Sequence, residues 1–308
     1  MQSDVNQILE SMVNGDARAS YQVFFLGQGQ QQSLENISPV EILVDHSVQA
    51  WSRDEFVAFV GTIKNAEFLP IQELDEGAQG VVRYVSIQEI ALLDAWIGRI
   101  SQGDRLPELT SFDGIKPKAI ILRRRSSVSD DVYLIKVLND TYTLRGKSIL
   151  HLIPTGVFTF MDGPSLVFDG HWDGIIANGN LALLREERLL TLFRYYEKFR
   201  EAANEFVGSL AQHEAFGNME FLAAVVDGRI SLQKKLYRAA QGNLERIDFQ
   251  RLQGFIDNGR IALKVVDGKI ECSTVEEAKV LIDVLLDNFV KSMLTDEEYK
   301  AYNKAVLK

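Results

Sequence analysis

Apolar residues recur along this chain with two distinct periods. The longest regular stripe is Leu189, Leu192, Phe193, Tyr196, Phe199, Ala203, Phe206, Val207 and Leu210, in steps of three and four. A helix turns once every ~3.6 residues, so this spacing predicts one long amphipathic helix. Arg188, Glu197, Lys198, Arg200, Glu201 and Glu205 occupy its other face. Ahead of it, two short apolar runs, Gly174 to Ala177 and Leu181 to Leu184, flank Asn178-Gly179-Asn180. Asn-Gly accepts positive φ at low steric cost, and the pattern predicts a β-hairpin.

The same reading extends to the rest of the chain. Tyr21 to Leu26 and Val40 to Val44 predict strands. Trp51 to Ile63 predicts a helix capped by Ser52, and Ile87 to Ile100 a second helix capped by Ser86. Ala119 to Arg123, Val132 to Leu138, Ser148 to Ile153, Val157 to Phe160 and Leu166 to Phe168 predict strands of an antiparallel meander. Its turns fall at Asn139-Asp140, Arg145-Gly146 and Asp162-Gly163-Pro164. All six prolines lie at or before Pro164, which agrees with a mainly helical C-terminal half. Met219 to Val226, Leu232 to Ala240 and Phe249 to Phe255 predict shorter helices. A hairpin at Asp267-Gly268 and a helix from Val275 to Phe289 follow, the helix opening on a Thr274-x-x-Glu277 capping box. The fold class expected is α+β: an acidic N-terminal α/β region, a central antiparallel meander, a long amphipathic helix and a mainly helical C-terminal half.

Charge sharpens the division. The chain of 308 residues carries a formal net charge of −10. Residues 1–115 hold 6 Lys+Arg against 17 Asp+Glu, residues 116–150 hold 8 against 3, and residues 151–308 hold 19 against 23. Gly103, Pro107, Gly114 and Pro117 punctuate the change from acidic to basic. This predicts an acidic region over 1–115, a basic strand-rich segment over 116–168, and a hairpin with a helical region over 169–308. Lys116, Lys118, Arg123, Arg124, Arg125, Lys136, Arg145 and Lys147 form the basic cluster. Arg123 and Arg125 share one side of a strand. If the meander gathers these side chains at the surface, they could follow a phosphate backbone without reading bases. The plainer alternative is that the arginines pair with the acidic region or only solvate the surface.

Other motifs carry less. Asp169, His171 and Asp173, if extended, would share one side and could hold a divalent metal for a nuclease. A local turn explains the same residues. Gly27-x-Gly29 lacks the third glycine of a dinucleotide loop, and Gly146-Lys147-Ser148 has Thr141 where a phosphate-binding loop requires glycine. His213-Glu214 lacks a second zinc-protease histidine, Asp45-His46 has no serine elbow, and Asp131 and Lys136 are wrongly spaced for a nuclease core. His151 alternates with apolar residues on a strand. Cys272 is the only cysteine, so no intramolecular disulfide is expected. No apolar run approaches the ~20 residues of a membrane span, and the N-terminus has no signal-peptide pattern. No cofactor and no catalytic residue are expected. These features predict a cytoplasmic protein with no direct membrane insertion.

The order of an Asn-Gly hairpin, an apolar strand and a helix bearing Phe193, Tyr196 and Phe199-Arg200-Glu201-Ala202-Ala203 resembles the KwaB family. That family supplies the effector of the bacterial Kiwa anti-phage defence system. Ser292-Met293-Leu294-Thr295, Tyr299 and Lys304 are similar to its C-terminal segment, and the likeness is clearest from about Lys118 to Lys308. The resemblance implies a non-enzymatic effector that binds double-stranded DNA and blocks phage replication or expression. It also implies a homodimer or higher homo-oligomer held at the inner membrane by a KwaA-like membrane protein. The basic cluster would carry the DNA contacts. Independently of the resemblance, its charge and its two amphipathic helices suggest that the acidic region docks the partner or a sister subunit.

Overall fold

The computed structural model describes residues 19–29, 32–71, 80–102, 106–107, 115–126, 130–138, 171–240 and 248–286. It also describes short strand pieces at 143–144, 150–152, 158–160, 165–166, 289–291 and 298–300. The aromatic and β-branched run after Ala19 forms β1 (Ser20–Gln28), and Val40–Ile42 forms β2. Helix α1 (His46–Ile63) starts earlier than its stripe predicts. Asp45 caps it by accepting the Val48 amide at 2.9 Å, while Ser52, the expected cap, is fully buried within the helix. Short strands β3 (Glu67–Pro70) and β4 (Val81–Ser86) follow. A 3-10 turn (Ile87–Glu89) then leads into α2 (Ala91–Ser101).

Next come β5 (Lys116–Arg125) and β6 (Val132–Val137). The expected meander does not continue as one sheet. Among the described residues β7 (Thr143–Leu144) pairs only with β10 (Ser165–Leu166), and β8 (Leu150–Leu152) only with β9 (Phe158–Phe160). The three expected turns of the meander lie outside the described residues. β11 (Gly174–Ala177) and β12 (Asn180–Leu183) form the predicted hairpin, with Asn178 and Gly179 at φ 47° and 71°.

The eight-stranded sheet runs β2-β1-β5-β6-β11-β12-β4-β3, antiparallel except where β3 meets β4. Helix α1 covers one face, where Phe56, Val60 and Ile63 pack with Val23, Phe25, Leu122, Leu134 and Ile175. Helix α2 covers the other: Ser101 Oγ lies 2.8 Å from the Tyr133 hydroxyl, and Tyr133 alternates with Leu134 along β6. Helix α3 (Glu186–Leu192) shares that face, with Leu189 against Gly174 and Phe193 against Trp96 at 5.8 Å between rings. A Cβ at position 174 would stand 2.7 Å from the Ala182 carbonyl and 2.9 Å from Leu189, so glycine lets the helix approach the strand.

Two expectations change here. The division after residue 115 falls inside this sheet, because β1 pairs with β5 from Ser20↔Arg125 to Gln28↔Lys116. The chain instead forms two units, residues 1–70 with 79–193 and residues 71–78 with 194–308. The long helix is also two helices. α3 ends at Leu192, Arg194 adopts a left-handed φ of 52°, and α4 begins at Tyr195 and runs to Gln212. A non-glycine residue there costs about 1–2 kcal/mol. The break also shifts the phase of the stripe: Tyr195 is buried, whereas Tyr196 is half-exposed.

In the second unit α4 is followed by α5 (Glu220–Val226), α6 (Ile230–Ala239) and α7 (Phe249–Asp257). The hairpin of β13 (Lys264–Val266) and β14 (Lys269–Glu271) turns at Asp267 and Gly268, both at positive φ. α8 (Val275–Leu285) opens on the predicted capping box, and β15 (Phe289–Lys291) pairs with β16 (Glu298–Lys300). Ala203, Phe206, Leu210, Leu222, Leu236 and Ile282 centre the core of this unit.

Candidate nucleic-acid interface

The side chains of β5 and β6 decide what the basic segment can do. Both strands lie inside the sheet with helices on either face, so their middle residues are buried on both sides. Arg123 is 4% exposed, Arg124 1% and Lys136 0%. Arg123 donates from Nε to Asp131 Oδ2 at 2.8 Å, and its Nη2 contacts the same oxygen. Its Nη1 donates to the Ile100 carbonyl at 2.8 Å and to Gln22 Oε1 at 3.3 Å. The guanidinium therefore fastens the end of α2 to β1 and to the β5–β6 connection. Tyr133 lies beside it, and burial raises the pKa of its hydroxyl above the ordinary 10.0.

Three of the eight expected cations therefore do not reach the surface. Arg123, Arg124 and Lys136 are withdrawn from solvent because their strands are interior. Lys116 and Arg125 are exposed at opposite ends of β5, and Lys118 is half-exposed. Arg145 and Lys147 lie outside the described residues.

Of the expected trio Asp169, His171 and Asp173, the two described members do not share one exposed side. Asp169 lies outside the described residues, His171 is exposed, and Asp173 is fully buried. Trp172, between them, is buried and donates from Nε1 to Glu55 at 3.1 Å. Asp173 joins several elements. Its Oδ2 accepts the Val137 amide at 2.7 Å, its own amide donates to Ile135, and its carbonyl accepts from Leu184 and Arg185. Oδ1 makes no hydrogen bond among the described residues; Arg185 Nε and Arg188 Nη1 lie at 3.6 and 3.7 Å. Burial raises the Asp173 pKa above its ordinary value, against the opposing pull of the Val137 amide, Lys136, Arg188 and Arg185. No three His, Cys, Asp or Glu side chains among the described residues come together as a metal site. Cys272 is buried, and burial with Glu277 and Glu271 pushes its thiol up to about 11, which suppresses the reactive thiolate.

The second unit holds a cationic group that the sequence reading passed over. Arg229 to Ala240, around α6, contains Arg229, Lys234, Lys235 and Arg238 and no Asp or Glu. Lys234 lies over Tyr196 and Phe199, at 5.7 and 5.5 Å from the ring centres. Lys198 of α4 lies over Tyr195 and Tyr237, at 5.1 and 5.9 Å. The signal available was a twelve-residue window without a carboxylate in an acidic protein. Its cations are scattered through an amphipathic helix, and no RRR-like run draws attention to them.

Residues 127–295 match the family described as Kiwa protein KwaB-like. This is more than half of the chain, and the protein belongs to that family. Membership makes it a component of a Kiwa anti-phage defence system. No curated protein and no solved structure matches it. Among the described residues no helix is long and apolar enough to cross a membrane.

Two outcomes test these assignments. All three tryptophans, Trp51, Trp96 and Trp172, belong to the first unit, so their fluorescence follows its unfolding. Arg123→Ala strands Asp131 and the Ile100 carbonyl and should cost about 3 kcal/mol in urea titration. Arg125→Ala, at an exposed strand end, should cost less than about 0.5 kcal/mol. Asp173 should also impose a pH slope. Its pKa is raised on folding, so the folded protein retains a proton that the unfolded chain has released. Stability therefore falls as pH rises from about 4 through the folded-state value. Asp173→Asn removes that contribution, so the stability of wild type relative to this variant should decline from pH 4 to pH 7. A constant difference would show that the buried carboxyl titrates normally.

Proposed function

We propose that this protein is the DNA-binding effector of a Kiwa system. It grips duplex DNA through phosphates without reading bases, and blocks replication or expression of phage DNA without cutting it. It works as a homo-oligomer beside a KwaA-like membrane protein, which keeps it at the inner face of the membrane. The observation that carries this reading is the family match over residues 127–295. The charge balance supports a local grip: the whole chain is at −10, so attraction to a polyanion has to come from confined cationic surface.

Binding through about six phosphates releases condensed counterions, and affinity should drop ~10³-fold or more between 50 and 200 mM salt. Fluorescence anisotropy of the purified chain with a labelled duplex measures this directly. Absence of binding at 50 mM salt rejects the reading. In a parallel incubation with magnesium or manganese the duplex should remain intact; cleavage would instead make the protein a metal-dependent nuclease.

A further inference from the structure

We infer that α6, with Lys198 of α4 beside it, forms the face that holds the DNA phosphates. This rests on the DNA-binding reading above and places the contact in the second unit. Leu232, Gln233, Leu236, Tyr237 and Ala239 of α6 are buried, whereas Lys234, Lys235 and Arg238 are half-exposed and Arg229 is exposed. The inward face thus fixes the helix in the core while the cations keep access to water. α4 carries both signs near Lys198, with Glu197 and Glu201 exposed beside it, so the proposal rests on the cations of α6.

Geometry suits a phosphate backbone. Lys234, Lys235 and Arg238 are three or four residues apart or adjacent, so they fall within one helical turn, ~6 Å along the axis. Duplex DNA offers one negative charge per ~1.7 Å of its own axis, so a group this dense can face several phosphates. The aromatic rings hold the ammonium groups of Lys198 and Lys234 in place before any ligand arrives, which lowers the ordering cost of binding. Those ring faces are then occupied by cations, which disfavours stacking with unpaired bases and favours duplex. A lipid surface fits less well. An interfacial helix needs a broad exposed apolar side, and on α6 the only exposed large hydrophobic residue is Ile230, at 42%.

The test is the triple variant Lys234→Gln/Lys235→Gln/Arg238→Gln of the full chain, titrated with a labelled 30-base-pair duplex over a range of salt. Each phosphate contact contributes about −0.9 to the slope of log affinity against log salt, so the slope should become shallower by about 2.7. Affinity at 50 mM salt should fall at least about tenfold. A variant with wild-type circular dichroism, affinity and slope overturns the inference and leaves the DNA-binding reading standing. No binding by wild type overturns both. If the variant fails to fold, lysine acetylation of the wild type with and without duplex decides: protection of Lys234 and Lys235 is expected, and equal modification in the bound complex overturns the inference. Phosphatidylglycerol vesicles form the last arm. Vesicle binding that depends on these three residues, with DNA binding unaffected by their loss, would assign the face to lipid and overturn the proposal.

Discussion

The first unit is governed by the covering of both faces of its central strands. Once α1 lies on one side of β5 and β6 and α2 with α3 on the other, the side chains from Ala119 to Arg124 and from Val132 to Lys136 leave water. A charged group persists there only with partners, because an isolated buried charge is too costly. Arg123 meets this condition with Asp131, the Ile100 carbonyl and Gln22. Asp173 meets it only in part: the Val137 amide and the two arginines at the start of α3 oppose its burial, yet its pKa is still raised. These groups tie strands to helices.

The same constraint explains how much could be read in advance. Local signals were legible. The turns at Asn178-Gly179 and Asp267-Gly268, the box at Thr274 and Glu277, and the stripe of α4 each depend on residues a few positions apart. Pairing of β1 with β5 was not, since its register joins residues about a hundred positions apart and no local pattern encodes it. The break at Arg194 was hidden for another reason. Neither glycine nor proline marks it, and the apolar spacing passes through it almost unchanged.

The basic cluster shows where sequence chemistry needs topology. Lys and Arg between residues 116 and 147 stand out by composition, but Ala119-Ile120-Ile121-Leu122 already lacks the alternation of a strand with one wet face. An unbroken apolar run beside three arginines points to structural pairing at least as strongly as to an exposed cationic groove. The less conspicuous cations of α6 lie on a helix with one buried side and one partly exposed side.

On the proposed reading, the cations that hold the sheet together are distinct from those of α6 that would meet a polyanion. Hydrogen–deuterium exchange of the full chain, with and without duplex DNA at 50 mM salt, tests this most directly. Slower exchange over Arg229 to Ala240, with β5 and β6 unchanged, is the predicted result. Slowing confined to residues 116–137, with none over α6, would contradict the account.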